Sequence, residues 1–333
     1  MRRIASGLIV IMSVLLVSCN GKTGNTITVG SDKLDNTQSY FSESMHKAAR
    51  CDSGYYYLDK CGASADNLMF YDDKSEESIV LCNKPQCGHD GEECMAYISG
   101  SEFKSELYYY NSYIYMISSK GNFVRISADG TQRTDLGSIC VLSGQDSVSM
   151  CFNDGYAYVS QEITGDIEGN VTVRLYRFNL DTGLSDKIYE ETGYGIGINS
   201  LKTYGSDTFF LKTSVSKDDK GLYSLEGKGI FRITGEDTEC LLDKNVYSYC
   251  IDADNNKLYY SGLGDGTIYE YDLGSGKSES IYKSDNDTGY FYITFDGNYI
   301  WMDDEGYKGM AMYFNKQSSS LDYTIYQLGL DGK

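Results

Sequence analysis

The chain of 333 residues contains one proline, one tryptophan and only two histidines, His46 and His89. A nucleophilic triad needs a histidine base, so few arrangements of that kind are available. The sequence has no HExxH pattern and no glycine-rich phosphate loop. It shows no helical period beyond the N-terminus, which disfavours α/β folds. These absences leave no recognisable catalytic residue, and the sequence does not favour an enzyme.

Positive charge is also scarce, because 29 lysines and arginines stand against 48 acidic residues and the formal net charge is −19. A surface this acidic repels phosphate backbones, so the sequence disfavours nucleic-acid binding. It repels anionic lipid as well. Any attachment to a membrane must therefore be covalent or through a partner.

Tyrosine and glycine are abundant instead, with 32 and 36 residues. The stretch from Val246 to Lys283 shows how they are used, because it contains four short runs that alternate apolar and polar residues. The turn sequences DADNN, GLGDG and GSGK separate them. Alternation with period two predicts strands, and these turns predict reversals between them. We predict one four-stranded antiparallel meander here, with strands over 247–251, 257–261, 267–273 and 278–282.

The same pattern recurs along the chain. The predicted second strands of the copies begin at residues 53, 111, 154, 206, 256 and 297. Units of about 40–60 residues with four strands each are typical of β-propeller blades. The sequence therefore predicts an all-β fold, a β-propeller of about six four-stranded blades over residues 46–333. The sixth copy stops before its outer strand, and Asn25–Gly30 (NTITVG) could supply that strand and close the ring. The alternative is a shortened member of a larger propeller, which leaves an unpaired edge.

The first 18 residues read as a signal peptide. Two arginines precede an apolar run that is too short to span a bilayer. Leu16-Val17-Ser18-Cys19 then matches the bacterial lipobox, in which Cys19 is lipidated. We predict that residues 19–45 form a lipid-anchored tether and that the mature protein lies outside the cytoplasm, anchored to the cell membrane.

We name the strands of each blade A to D from the channel outward, so the A–B and C–D turns share one face and the B–C and D–A loops share the other. The long segments between predicted strands all fall on the second face: Gln161–Thr172, Thr213–Lys228, Asp304–Asp322 and Cys82–Lys104. Variable loops on a rigid scaffold are where binding residues concentrate. We therefore predict that this face binds the ligand, with aromatic contacts from Tyr97, Phe103, Tyr307, Tyr313 and Phe314.

Nine cysteines remain after Cys19, and three of them cluster with a histidine as Cys82, Cys87, His89 and Cys94. Three thiols and an imidazole over thirteen residues provide the ligand set of tetrahedral zinc. Cys61, on the same predicted face, could replace His89 or pair with one of the three. A disulfide-stapled loop and reduced free thiols are the two alternatives. Cys51, Cys151 and Cys250, which end the A strands of three blades, are predicted to be buried core residues.

The cysteine segment, LCNKPQCGHDGEECMAY, resembles the LCxKPxCxHxxxxCxAY segment of uncharacterised β-propeller lipoproteins of anaerobic Firmicutes. More remotely, Leu175–Asp181 and Ile268–Leu273 resemble the propellers of the low-density-lipoprotein-receptor type. The first resemblance implies a lipid-anchored propeller and carries no catalytic residue. We expect a non-enzymatic binding or scaffold protein whose partner is an extracellular glycan, peptide or protein. The alternatives are an extracellular hydrolase with carboxylates at the channel mouth and a metal-binding protein that uses the Cys82–Cys94 loop.

Overall fold

A computed structural model describes the chain over residues 48–99, 107–143, 146–165, 169–204, 207–235, 237–252, 254–284, 291–295, 299–304 and 325–329. Within these ranges all of the regular structure is β-strand, arranged in six antiparallel sheets. No helix in this described part of the chain is long and apolar enough to cross a membrane.

The strands follow one another from sheet to sheet in chain order. The first two sheets contain β1 (Ala48–Cys51), β2 (Gly54–Lys60), β3 (Ala65–Asp72), β4 (Glu77–Val80) and β5 (Tyr97–Ser99), then β6 (Tyr108–Tyr110), β7 (Tyr113–Ile117), β8 (Asn122–Ser127) and β9 (Arg133–Ser138). The third and fourth contain β10 (Ser147–Asn153), β11 (Tyr156–Thr164), β12 (Asn170–Asn179) and β13 (Ser185–Tyr194), then β14 (Gly197–Tyr204), β15 (Asp207–Lys217), β16 (Tyr223–Thr234) and β17 (Asp237–Leu242). The last two contain β18 (Val246–Asp252), β19 (Lys257–Gly262), β20 (Thr267–Asp272) and β21 (Ser278–Lys283), then β22 (Phe291–Phe295), β23 (Tyr299–Asp304) and β24 (Ile325–Gly329).

Each sheet is a meander in which consecutive strands pair, except that β5 of the first sheet pairs with β3, so the predicted repeat is confirmed. The unit at Val246–Lys283 forms β18 to β21, and each strand agrees with its predicted run to within a residue at either end. The turns follow the sequence as predicted. In the C–D turns of three sheets, the first side chain accepts hydrogen bonds from backbone N–H groups two or three residues on: Asp72, Asn179 and Asp272.

Alternate side chains of one strand pack against different neighbouring sheets. In β19, Leu258 and Tyr260 lie in a core shared with the fourth sheet, whereas Tyr259 lies in a core shared with the sixth. Five such clusters join each sheet to the next, from the first to the sixth. Because the second to fifth sheets are each buried on both faces against their neighbours, the sheets stack radially as blades. The fold is a β-propeller.

Tyrosine supplies many of the largest buried side chains. Tyr56 and Tyr249 are almost fully buried, and their hydroxyls donate to the carbonyls of Ala128 (3.3 Å) and Ser200 (2.5 Å) in the adjacent blade. Such a ring fills the space between blades while its hydroxyl satisfies a buried carbonyl. Burial raises the pKa of Tyr115 to about 12. The tyrosines of this chain therefore join blades to one another.

Two of the predicted loops are wrong. Most of Gln161–Thr172 and of Thr213–Lys228 is strand, because β11 and β12 continue to Thr164 and from Asn170, and β15 and β16 continue to Lys217 and from Tyr223. The third and fourth blades thus project as paired strands. Polar residues recur at about every second position of these segments. This alternation is typical of strands with one face in solvent, and not of irregular loops.

The sixth sheet contains three strands in the described part of the chain, β22, β23 and β24. The predicted closing strand Asn25–Gly30 lies outside the described residues. So do the leader, Cys19 and the whole tether, and the predicted contacts Phe103, Tyr307, Tyr313 and Phe314.

Candidate metal centre on the outer strand of the first blade

The cysteine segment interrupts the outer strand of the first blade. The strand begins as β4, which pairs with Met69–Asp72 of β3, and resumes as β5, which pairs with Ala65–Asn67 of the same strand. Both ends of the insertion bond to a single residue: the Leu81 N–H donates to the Leu68 carbonyl, and the Leu68 N–H donates to the Ala96 carbonyl, each at 2.8 Å. The cysteine segment therefore projects from the outer strand of the first blade, at the rim of the propeller. The prediction that it emerges as a D–A loop on the B–C face is wrong, because Tyr97–Ser99 rejoins the blade.

Two β-turns bring the cysteines together. In the first, the Cys87 N–H donates to the Lys84 carbonyl at 3.4 Å, with Pro85 second and Gln86 third at a φ of 61°. Proline followed by a residue of positive φ is the pattern of a type II turn. In the second, the Cys94 N–H donates to the Gly91 carbonyl at 2.9 Å. Pro85, the chain's one proline, thus helps to position Cys87.

Four side chains converge inside this segment. The ligand atoms of Cys82, Cys87, His89 and Cys94 all lie within 4.8 Å of one another, and His89 Nδ1 is 3.3 Å from Cys94 Sγ. Zinc–sulfur bonds of about 2.3 Å and zinc–nitrogen bonds of about 2.0 Å give a tetrahedron with edges of roughly 3.5–3.8 Å. A contraction of about 1 Å or less brings the four atoms to that geometry. This group could hold a metal ion.

Backbone N–H groups surround the sulfurs. Burial raises the pKa of the Cys82 thiol, but hydrogen bonds from the Lys84 and Met95 N–H groups and from neighbouring thiols outweigh it and lower that pKa below its usual value. Burial, helped by the nearby sulfurs of Cys82 and Cys87 and opposed by the Ala96 N–H, raises the pKa of Cys94 to about 12. Thiolate is the ligating form of cysteine, so the N–H groups around Cys82 favour ligation, and a metal must displace the Cys94 proton.

The insertion packs against the second blade. The Asn83 N–H donates to the Gly130 carbonyl at 3.2 Å, and Arg133 Nη1 donates to the Tyr97 carbonyl at 2.9 Å. Leu81 and Cys94 lie in one core cluster with Ala128 of the C–D turn of that blade. The four side chains therefore lie in a segment that joins the rims of two blades.

The remaining predicted residues lie apart from this group. Cys61 is exposed in the turn between β2 and β3 and is not one of the four. Tyr97 is half-buried in β5, where it packs against the core of the first two blades. Its role as a ligand contact stays a prediction. All nine cysteines from Cys51 to Cys250 carry free thiols in the structure. Cys51, Cys151 and Cys250 belong to, or pack against, three different core clusters.

One exposed apolar surface, at the end of the β15–β16 hairpin, was not predicted from the sequence. Leu222, Tyr223 and Leu225 are 66%, 59% and 49% exposed there, and the ring of Tyr194 from β13 stacks on that of Tyr223 at 6.2 Å. The alternation in LYSLE was the available signal. It was missed because the flanking charged residues were assigned to a loop.

Fold and site together define a β-propeller with a Cys₃His cluster on the rim of its first blade. No protein-family model and no curated protein sequence matches the chain. Among solved structures it is similar to hydrazine synthase of Kuenenia stuttgartiensis, with a TM-score of 0.49 and 10% identity over 84% of this chain and 82% of that one.

Two further similarities are to regucalcin, a calcium-binding protein of Agrobacterium tumefaciens, and to a nidogen/laminin complex. The first has a TM-score of 0.40 and 14% identity over 67% of this chain and 68% of that one. The second has a TM-score of 0.40 and 11% identity over 73% and 83%. The fold assignment rests on the six sheets described above, and nothing about activity follows from these similarities.

Proposed function

We propose that this protein is a non-enzymatic, surface-anchored β-propeller that binds an extracellular glycan, peptide or protein and carries a structural zinc site on its first blade. The observation that supports the zinc site is the convergence of three thiols and one imidazole within 4.8 Å. Soft sulfur ligands with one imidazole suit zinc better than the oxygen-seeking magnesium or calcium. With four protein ligands the coordination sphere is closed, as in structural rather than catalytic zinc sites.

Few backbone hydrogen bonds stabilise the two turns of the cysteine segment. Bound zinc would supply a cross-link between these turns. Cys87 and Cys94 end these turns, and Cys82 begins the segment immediately after the buried Leu81. The Lys84 ammonium, which donates to the Glu93 carbonyl, already joins the two arms. The role of the site is therefore to order a polar insertion and to seat it on the second blade.

The proposed anchoring rests on the leader and on Cys19. The chain's net charge of −19 disfavours direct adsorption on anionic lipid, so a covalent lipid is the consistent means of attachment. The polar segment after Cys19 would hold the propeller away from the bilayer. The resemblance of the cysteine segment to propeller lipoproteins agrees with this arrangement.

Metal analysis of the full chain, purified from membranes under anaerobic and reducing conditions, tests the zinc site. We expect about one zinc per chain, and we expect cobalt substitution to produce the visible absorption of a tetrahedral thiolate site. Cys82→Ser and Cys87→Ser should lose both signals. Cys61→Ser is the matched control and should keep them. Equal metal content in wild type and the Cys82→Ser variant would refute the site.

Metabolic labelling with radioactive fatty acid tests the anchor. The wild type should incorporate the label, whereas the Cys19→Ala variant should lose it while its zinc content stays unchanged. Equal labelling of the variant and the wild type would contradict a lipid anchor at Cys19.

A further inference from the structure

The β15–β16 hairpin of the fourth blade is longer than the strands on either side of it. The inner strand β14 pairs with β15 only as far as Thr213, and the outer strand β17 pairs with β16 only at Ile230–Thr234. The hairpin ladder continues for four more pairs, ending at Lys217 with Tyr223. In the described part of the chain, the outer edge of β16 at Tyr223–Glu226 therefore has no strand partner.

Hydrogen bonds at both ends of this edge show which backbone groups point outward. At the tip, the Asp218 N–H donates to the Leu222 carbonyl at 2.9 Å, so Leu222 points toward β15. At the base, the Gly227 N–H donates to Asn245 Oδ1 at 2.7 Å, on the outer side. Backbone direction alternates along a strand. Both ends thus agree that the N–H and C=O groups of Tyr223 and Leu225 point away from β15, along the open edge.

Side-chain contacts hold the hairpin in a fixed shape. The Lys217 ammonium lies 5.1 Å from the centre of the Tyr223 ring, and Tyr194 stacks on that ring at an interplanar angle of 20°. On the opposite face, the Ser216 and Ser224 hydroxyls are hydrogen-bonded at 2.8 Å. An edge that is already ordered loses little conformational entropy when a ligand binds.

Charge indicates the kind of partner. The hairpin is locally balanced, because three lysines and three acids occur between Lys217 and Lys228, and Lys228 is paired with Glu226. The whole chain carries −19, so its long-range field attracts a cationic partner and repels a second copy of itself. Natural sheet edges that avoid pairing use proline, bulges or charged side chains. Tyr223–Leu225 has none of these, and the charge of the next residue, Glu226, is paired with Lys228.

We propose that the outer edge of β16 at Tyr223–Glu226 binds an extended, basic polypeptide segment as an added antiparallel strand. Backbone groups of Tyr223 and Leu225 form the hydrogen bonds, and the exposed side chains of Tyr223 and Leu225, which share one face of β16, cover alternate apolar residues of the added strand. This inference rests on the proposed binding function and narrows its partner to a peptide. It is independent of the metal site.

Binding of synthetic peptides to the full chain tests the inference. The probe is a capped peptide of about eight residues that alternates lysine and valine, and its affinity is measured by fluorescence anisotropy at physiological salt. The first control has the same sequence with alternate backbone nitrogens methylated, which keeps its charge and side chains but removes strand hydrogen bonds. The second control replaces lysine by glutamate. We expect each control to bind at least about ten-fold more weakly than the probe.

A variant of the edge completes the design. Leu225→Pro removes an outward N–H without removing a bond to β15, and should weaken probe binding about ten-fold while circular dichroism and zinc content stay unchanged. Leu225→Thr keeps that N–H and should lose less. If Leu225→Pro fails to fold, the methylated peptide decides the question on the wild-type protein.

Equal binding of the probe and its methylated form would overturn the proposal, as would equal binding of the glutamate peptide. Self-association of the wild type that Leu225→Pro abolishes would assign the edge to a second copy instead and would also overturn it. These failures differ from failure of the broader function. A protein that ignores the peptides but is still captured on another extracellular ligand keeps its binding role.

Discussion

In the fourth blade the extra residues continue a strand ladder into solvent, whereas in the first blade they leave the outer strand and gather four side chains. The ladder of paired residues between β15 and β16 runs to Lys217 and Tyr223. The Cys82–Cys94 segment has two turns and a cluster of thiols instead. A ladder accepts nearly any side chain because the backbone forms it. The cluster requires particular residues. Substitutions should therefore be tolerated in the hairpin and damaging in the cysteine segment.

The largest expected effect comes from removing a ligand. Cys94→Ser should lower zinc affinity more than about 100-fold, because a buried thiolate is replaced by a weak hydroxyl ligand. Amide hydrogen exchange should then accelerate across residues 82–99 and remain unchanged in the β15–β16 hairpin. The control is Cys240→Ser on the exposed outer strand of the fourth blade. Acceleration in both regions would show that the two regions are not independent.

Truncating one leucine in each region measures how much each depends on packing. Leu81→Ala should lower the free energy of unfolding by about 2–5 kcal/mol, since Leu81 is fully buried beside the first ligand. Leu225→Ala should change it by less than about 0.5 kcal/mol, because that side chain is half exposed. Denaturant titration provides both values. A large loss in the second variant would mean that the hairpin is part of the core.

The two regions should also differ in their response to pH. Burial keeps Cys94 protonated near neutrality, so zinc must displace its proton and the apparent affinity should rise with pH by about ten-fold per unit for that proton. Competition with a chromophoric chelator at about pH 6 to 8 measures the slope. Binding of a strand to the hairpin involves no thiol and should lack this slope. A flat zinc profile would show that Cys94 is not a ligand.

Substituting two glycines in C–D turns separates the cost of a steric clash from the cost of a positive φ alone. Gly130 has a φ of 68°, and a Cβ there would lie 2.7 Å from the Leu81 carbonyl oxygen. Gly235 of the fourth blade has a φ of 64° and open space around it. Gly235→Ala should destabilise by about 1 kcal/mol, and Gly130→Ala by roughly 1–2 kcal/mol more. Equal losses of stability in the two variants would mean that Leu81 does not pack closely against Gly130 of the second blade.

The smallest effect is expected at the hairpin tip. Lys217→Gln removes the cation from the exposed face of Tyr223, and such contacts at exposed sites contribute about 0.5 kcal/mol. Thermal unfolding should detect little or no change, whereas Tyr223 fluorescence should change with its environment. A loss of stability comparable to that of Leu81→Ala would contradict the view that the strand ladder contributes most of the hairpin's stability and that the side-chain contacts add only a little.

Much of the fold could be predicted because its signals are local. The period of two and the Asp/Gly turns located β18 to β21 nearly to the residue. The four candidate ligands could also be named, because three cysteines and a histidine are close in sequence. The position of these four residues on the rim of the propeller could not be predicted from the sequence. It depends on the pairing of Tyr97–Ser99 with Ala65–Asn67, about thirty residues earlier, and three residues carry too little alternation to reveal a strand.

Since both ends of the cysteine segment bond to Leu68, the blade is nearly indifferent to how many residues lie between them. That makes the junction a natural graft point. Segments of other lengths and chemistries can be exchanged there during evolution, or in the laboratory, without altering the register of the neighbouring strands. A tag or a recognition peptide that replaces residues 83–93 and keeps the buried Cys94 should be displayed at the perimeter of the propeller.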